Sequence, residues 1–275
     1  MGNVGAVPPR SVLLASIDGL RPDAVTPERT PTLWSLLESG AYTLSAQTVL
    51  PSVTLPCHMS MIHGVDVGRH GVTTNTYQPP ARPVPSLFDL ATSQSVPCAA
   101  FFNWGPLRDL FAPEGVADAV IHTSFSEPED DHFVTDALIR YADRRAYGLY
   151  FLYLGHTDHT GHQHGWMSDR YLEAVQNADA CLARAIQAVA ERQGPPNVVA
   201  LADHGGHERA HGTDLPEDLT IPWIAAGPDV PNRGALPDGV RIFDTAPTVT
   251  ALLGIQASPV WDGRDVLGPV TAVEG

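Results

Sequence analysis

The chain has 275 residues, of which 43% are hydrophobic and 17% charged, and its formal net charge is −15. This balance is typical of a globular protein and excludes a disordered chain, while the acidic charge without a basic patch excludes a general nucleic-acid surface. No stretch has transmembrane length, and residues 1–10 lack the apolar core of a signal peptide, so we expect no membrane association and a cytoplasmic protein. The cysteines form neither a disulfide framework nor a zinc knuckle, in keeping with a reducing compartment: they are Cys57, Cys98 and Cys181.

Short apolar runs alternate with helical patterns along the chain. The predicted strands cover residues 11–17, 42–50, 96–102, 118–122, 148–154, 197–202 and 220–227. The predicted helices cover residues 30–40, 54–64, 86–93, 104–111, 129–147, 168–194 and 244–253, with loops at 68–76 and 79–85. This alternation predicts an α/β fold, in which a central and mostly parallel sheet is flanked by helices on both faces. Because composition does not shift along the chain, we expect one domain over residues 1–275.

Four histidines and an aspartate crowd into residues 155–165, directly after the apolar run 148–154. A strand in that run would deliver the cluster to the carboxyl edge of the sheet, where open α/β sheets bind ligands. Asp158 and His162 are four residues apart, so a helical turn would place both on one face, aimed at one metal ion. Carboxylate and imidazole without thiolate are the ligands of a catalytic zinc-type site.

A second cluster repeats this arrangement after the apolar run 197–202, with Asp203 and His204 at its end and His211 beyond a glycine-bearing loop. Two further residues from other strand tips should reach the same edge. Asp18 ends the first predicted strand, although a turn aspartate before glycine is the alternative. Thr54 is predicted as a helix N-cap, where free backbone N–H groups favour an anion; a plain cap is the alternative. Together these residues supply enough donors for two metal ions.

In this order, the motifs resemble those of the alkaline phosphatase superfamily, and specifically its type I phosphodiesterase/nucleotide pyrophosphatase branch. The resemblance spans nearly the whole chain, and although each motif is short, the ordered set is specific. The motifs are DGLRPD at 18–23, PSVTLP at 51–56, HGVTTN at 70–75, GHTD at 155–158 followed by His162, DHG at 203–205, and APTV at 246–249.

The resemblance implies a phosphodiesterase-like hydrolase with two zinc ions, or other divalent metals such as Mn²⁺, acting on a small phosphorylated substrate. Thr54 would be the nucleophile, deprotonated by metal coordination and phosphorylated during the reaction. Asn75 would donate a hydrogen bond to a phosphate oxygen. The implied ligands are Asp18, Asp203, His204 and the Thr54 oxygen for one zinc, and Asp158, His162 and His211 for the other.

The chain departs from the family pattern in two respects. Secreted members are longer and carry their last histidine ligand far downstream, whereas here no histidine follows His211. The last ligand is therefore expected to be His211, with His207 as the alternative. The chain also lacks the bulk of a lid or a large inserted domain, which predicts a minimal core with an open site and no marked nucleotide preference. Four other clustered histidines could support the ligands, contact the substrate or have no role, and a supporting role is expected for most of them: they are His156, His159, His164 and His207.

Several related activities are alternatives. Sulfatases take their nucleophile from a Cys-x-Pro-x-Arg motif, which residues 57–61 (CHMSM) do not match. A phosphomonoesterase and a phosphonoacetate hydrolase, which breaks a C–P bond, remain open, while phosphomutases carry a large cap domain that we do not find. From another class, a protein that only sequesters zinc would need neither Thr54 nor Asn75. The sequence does not define an oligomeric state.

Overall fold

The computed structural model describes residues 10–80, 83–112 and 114–268. The prediction on residues 1–9 and part of the predicted loop at 79–85 lie outside these residues. The described chain forms a single eight-stranded sheet in the order β4-β3-β5-β1-β6-β7-β2-β8, flanked by helices, so the predicted α/β class is confirmed. The strands are β1 (Val12–Ile17), β2 (Ala41–Gln47), β3 (Cys98–Phe102), β4 (Asp118–Ile121), β5 (Leu149–Leu154), β6 (Asn197–Leu201), β7 (Thr220–Ala226) and β8 (Gly234–Ala235).

The helices lie between these strands in the chain. They are α1 (Pro31–Ser39), α2 (Thr54–His63), α3 (Val67–His70), α4 (Leu87–Ser93), α5 (Pro128–Arg144), α6 (His156–His164), α7 (Asp169–Gln193), α8 (Pro216–Leu219) and α9 (Thr245–Leu253). One helix layer contains α1, α5 and α7, the other contains α2, α4 and α9, and β1 contacts both α7 and α9. Among the described helices, none combines the length and apolar character that a membrane span requires.

The centre of the sheet is buried on both faces. Every residue of β1, β5 and β6 is buried, which is why these strands are continuous apolar runs instead of alternating ones. β1 pairs in parallel with β5 on one side and with β6 on the other, so all three carboxyl ends meet at one edge. Among the described strands, only β7 is antiparallel to its sheet neighbours, β6 and β2. The prediction of a mostly parallel sheet is therefore confirmed.

Some local predictions differ from the structure. Residues 105–110 form a 3₁₀ helix where a longer helix was expected, and the predicted loop 68–76 begins inside the short helix α3. Strand β2 ends at Gln47, three residues before the predicted end, because the chain turns there towards α2. The sequence patterns did not reveal β8 or α8, since elements of two and four residues are too short to show periodicity.

Candidate metal centre

Acidic and imidazole side chains from three strand ends converge at the carboxyl edge of the sheet. Asp18 follows β1, Asp203 and His204 follow β6, and Asp158 lies in the first turn of α6 after β5. Two groups have donor atoms within 4.8 Å of one another: one is Asp18, Asp203 and His204, and the other is Asp158, His204 and His211. His204 belongs to both groups. The arrangement therefore offers two adjoining positions for a cation.

Three histidines at this edge are oriented in the same way. The Nδ1 atom of His204 donates to the Gly205 carbonyl at 2.8 Å, and that of His211 donates to the Ser52 carbonyl at 2.8 Å. His162 does the same to the Arg209 carbonyl at 2.9 Å. A carbonyl oxygen only accepts, so each Nδ1 carries a proton, and in the neutral form of each ring the lone pair is on Nε2. A backbone partner on the far nitrogen is the usual support of a metal-binding histidine.

Each Nε2 atom faces carboxylates. That of His204 lies 3.3 Å from Asp18 Oδ1 and 3.4 Å from Asp203 Oδ2. That of His211 lies 3.5 Å from Asp158 Oδ1. The Nε2 atom of His162 lies 3.6 Å from Asp158 Oδ2, one helical turn along α6, as the four-residue spacing predicted. His162 belongs to neither compact group, however, and its side chain is 40% exposed.

Asp18 and Asp203 are each anchored by one carboxylate oxygen and leave the other without a partner. Asp203 Oδ1 accepts the backbone N–H of Gly19 at 3.1 Å and of His204 at 3.0 Å. Asp18 Oδ2 accepts the hydroxyl of Tyr153. Among the described residues, buried oxygens without any hydrogen-bond partner include Asp18 Oδ1, Asp158 Oδ1 and Asp203 Oδ2. A cation is the partner that suits such oxygens, since buried acceptors are otherwise satisfied.

Electrostatics also favours a cation here. Burial raises the pKa of Asp158, and separately that of Asp203, from the usual 3.8 to about 6. Burial, with the charges of Asp203 and Asp158 added, raises the pKa of Asp18 well above its usual range. Burial lowers the pKa values of His204 and His211, so both imidazoles are neutral at pH 7 and available as ligands. Three crowded carboxylates beside neutral imidazoles suit divalent cations.

Thr54 lies at this centre in a different role from the predicted one. Val53 is the N-cap of α2, its own side chain makes no capping hydrogen bond, and Thr54 is the first helical residue. The predicted N-cap was wrong by one residue, because Val53 already has the extended backbone conformation of a cap. The Thr54 hydroxyl is therefore not bonded to the helix backbone; it lies 3.3 Å from His204 Nε2, next to the histidine shared by both groups. Thr54 is 4% exposed.

Asn75 lies at the amino end of α2. Its Oδ1 atom accepts the Leu55 backbone N–H at 3.0 Å, which leaves the Nδ2 amide hydrogens without that partner. Asn75 is exposed and lines an open cleft of about 370 Å³ together with Tyr77 and Arg108. The cleft therefore borders the helix terminus that carries Thr54.

His58 is a buried residue of this centre that the sequence analysis did not select. Its Nδ1 atom donates to the Thr54 carbonyl at 2.8 Å and lies 3.5 Å from Asp203 Oδ2. Its Nε2 atom accepts the Ser16 hydroxyl at 2.9 Å. His58 thus ties α2 to β1 beneath Asp203. Its spacing of four residues from Thr54 was a usable signal, because residues four apart in a helix share a face.

Trp166 forms the wall behind two of the histidines. Its indole N–H donates to the Gly19 carbonyl at 2.9 Å, and its ring centroid lies 5.1 Å from that of His162. Gly161 and Gly206 pack directly on the indole, where any Cβ atom would overlap the ring. The two glycines are therefore a packing requirement of the centre.

The other clustered histidines do not join the two groups. His156, His159 and His164 line a cleft of about 630 Å³ on the opposite face of α6, towards α5 and α7. His156 bonds the Phe125 carbonyl and Thr160, so the hydrogen bonds of its ring do not reach a residue of either group. The expected supporting contact to the ligands is absent for it.

Comparison with known proteins identifies the family of this chain. The profile of the type I phosphodiesterase/nucleotide pyrophosphatase family matches residues 12–122 and 108–217, which includes every residue of the two groups. A 2,3-bisphosphoglycerate-independent phosphoglycerate mutase of Synechococcus elongatus is 26% identical over 244 residues, which cover 80% of this chain and 41% of that relative. The mutase of Rhodopirellula baltica is 30% identical over 115 residues, 40% of this chain and 21% of that relative. The chain thus spans about two fifths or less of the length of these relatives.

Solved structures share the fold at low sequence identity. Human ectonucleotide pyrophosphatase/phosphodiesterase 5 is 16% identical with a TM-score of 0.77, over 94% of this chain and 100% of that chain. An inactive variant of the murine protein, in complex with AMP, has a TM-score of 0.75 at 16% identity, over 91% of this chain and 96% of that chain. A putative sulfatase from Bacteroides fragilis has a TM-score of 0.76 at 15% identity, over 98% of this chain and 80% of that chain. With the family profile matched over most of its length, the chain belongs to the type I phosphodiesterase/nucleotide pyrophosphatase family.

Proposed function

We propose that this protein is a two-metal hydrolase of phosphate esters, with diesters as the preferred substrates and Thr54 as the nucleophile. The observation that carries the proposal is the position of the Thr54 hydroxyl, 3.3 Å from the Nε2 atom of His204, the residue common to both donor groups. A nucleophile between two cation positions is the arrangement of two-metal phosphoryl transfer.

The donor set suits zinc, and Mn²⁺ is a second possibility, because carboxylate and imidazole are ligands for both. One ion would be held by Asp18, Asp203, His204 and Thr54, and the other by Asp158, His162 and His211. The unpartnered oxygens of the three aspartates support this assignment. When bound, the metals would lower the pKa of the Thr54 hydroxyl and offset the charge of the phosphate.

In the reaction, the Thr54 hydroxyl gives up its proton to water, Oγ attacks the phosphorus atom, and the bond from phosphorus to the leaving oxygen breaks. The leaving group departs as an alcohol after taking a proton from water. Water then attacks the phosphothreonine, which restores the Thr54 hydroxyl and releases the phosphoryl product. The buried carbonyl of Thr54 is held by His58, so the nucleophile starts from a fixed position.

Asn75 and the start of α2 would bind the phosphate oxygens. The side-chain oxygen of Asn75 accepts the Leu55 N–H, so the Nδ2 hydrogens of Asn75 are free to donate to a phosphate. The amino ends of helices also favour anions. The adjoining cleft of about 370 Å³ is open enough for the second ester group of a diester. Its lining includes Tyr77 and Arg108.

The test measures hydrolysis of a bis-aryl phosphate and of the matching aryl monophosphate, on protein whose metal content has been quantified. We expect faster turnover of the diester, with Thr54→Ala inactive but still loaded with metal. Thr135→Ala is the matched control, since it removes another buried threonine hydroxyl, which bonds the Asp131 carbonyl in α5. It should retain full activity.

Other outcomes separate the alternatives. A preference for the monoester would identify the protein as a phosphomonoesterase that uses the same metal centre. Full metal loading without turnover of either ester would favour a C–P substrate such as phosphonoacetate, or a protein that only binds zinc. Unchanged turnover in Thr54→Ala would contradict the proposed nucleophile.

A further inference from the structure

His211 is delivered to the centre by the loop between β6 and α8. The loop turns back on its own beginning: the Gly205 N–H donates to the Asp218 carbonyl at 2.9 Å, and His207 and Ala210 exchange backbone hydrogen bonds at 2.9 and 2.8 Å. His211 follows directly after this tight turn and is 10% exposed in its side chain. Nothing within the turn itself fixes the position of the His211 ring, whose Nδ1 atom bonds Ser52 outside the loop.

One fully buried carboxylate lies inside this loop. Asp218 is 0% exposed, and its Oδ1 atom accepts the Nδ1–H of His207 at 2.7 Å. Its Oδ2 atom accepts both the backbone N–H of Thr213, at 2.9 Å, and the Thr213 hydroxyl, at 2.7 Å. His207 and Thr213 stand on either side of His211 in the sequence, four residues before it and two after it. Asp218 therefore holds both flanks of the segment that carries His211.

We propose that Asp218, together with His207 and Thr213, forms a clasp that positions His211 as a metal ligand. The three are positioning residues, since their hydrogen bonds go to one another and to the loop backbone. The clasp lets a short loop deliver the last histidine. It also assigns His207, which belongs to neither donor group, to the clasp instead of to the metal. Partners of this kind contribute about 10- to 100-fold to metal affinity.

This inference rests on the proposed metal centre, and its test uses metal binding apart from activity. Zinc affinity is measured by competition with a chromophoric chelator, starting from metal-free full-length protein. We expect wild type to bind two zinc ions, and Asp218→Asn to keep one while the affinity for the other falls about 10- to 100-fold. The absorption of Co²⁺ in the visible range should change for one ion only.

Two smaller changes guard against loss of folding. Thr213→Val removes only the hydroxyl contact, and we expect a weaker loss of affinity at the same ion. His207→Ala should lower the affinity for that zinc ion. His207→Asn should retain the affinity, because the asparagine amide can donate to Asp218 in place of the His207 Nδ1. Circular dichroism in chelator reports whether each variant is folded.

Asp179→Asn is the matched control. Asp179 is also a buried carboxylate that accepts backbone N–H groups, from Thr32 and Leu33, but it lies between α7 and α1. Its variant should bind both zinc ions with wild-type affinity. The clasp is refuted if folded Asp218→Asn binds both ions as wild type does, or if His207→Asn loses affinity as fully as His207→Ala. Wild type without zinc affinity would instead contradict the proposed function.

Discussion

Replacing Asp158 by asparagine should stabilise the metal-free protein and destabilise the metal-loaded one. Burial raises the pKa of Asp158 from 3.8 to about 6, so ionising it in the folded protein is unfavourable. A shift of roughly two pKa units corresponds to about 3 kcal/mol. Its Oδ1 atom has no hydrogen bond to lose. At pH 8 in chelator, we therefore expect Asp158→Asn to raise the free energy of unfolding by up to about 3 kcal/mol.

The pH dependence of this difference has a definite sign. A carboxylate whose folded pKa is raised is at no disadvantage below its unfolded pKa, and the folded state loses stability as the pH rises towards the folded pKa. For Asp158 this window runs from about 4 to about 6. The advantage of the variant should therefore stay constant from pH 8 down to about 6 and shrink as the pH is lowered from about 6 towards 4.

Zinc should reverse the order of stability. A ligand at a thousand times its Kd stabilises the folded state by about 4 kcal/mol, and the variant lacks a ligand for one ion. The assay is urea unfolding followed by circular dichroism, in chelator and in buffered zinc. Asp179→Asn again serves as the control. It should be less stable than wild type in both conditions, because it weakens the hydrogen bonds that the two Asp179 oxygens accept from the Thr32 and Leu33 N–H groups. The reasoning is refuted if Asp158→Asn is less stable than wild type in chelator at pH 8. It is also refuted if zinc raises the free energy of unfolding of the variant as much as that of wild type.

Three further outcomes are expected. Tyr153→Phe removes the hydroxyl that bonds Asp18 and should weaken zinc binding about tenfold in the chelator competition. Gly206→Ala should lower the free energy of unfolding by about 1–3 kcal/mol in urea, because its methyl group would overlap the Trp166 indole; unchanged stability would contradict this packing. The apparent zinc affinity of wild type should fall steeply as the pH drops below about 6, where Asp203 takes up a proton in the metal-free protein; a flat profile between pH 5 and 7 would contradict it.

The functional residues at the strand ends were predictable, because a buried strand is an apolar run in the sequence and the residue that ends the run lies at the edge of the sheet. Apolar runs end at Asp18 and shortly before Asp203, and parallel strands bring such ends to one edge of the sheet. The spacing of Asp158 and His162 likewise predicted one helix face, and the structure places their side chains 3.6 Å apart.

Other features depend on tertiary contacts that no local pattern reveals. Tyr153 lies in a fully buried strand, where a tyrosine looks like any core residue until Asp18 is placed beside its hydroxyl. In the sequence, Asp218 resembles a polar residue of a turn. In the structure it is fully buried, with its carboxylate bonded to His207 and Thr213. The error at Thr54 has the same origin, since the nearby His204 gives its hydroxyl a partner outside the helix backbone.

The most direct test of the two-metal centre is the activity of metal-free protein as zinc is added in known equivalents. Diester hydrolysis should rise until two zinc ions are bound per chain and then remain constant. Thr54→Ala should bind zinc to nearly the same stoichiometry while its hydrolysis stays at background. Full activity without zinc, or undiminished hydrolysis by zinc-loaded Thr54→Ala, would contradict a two-metal centre that acts through this threonine.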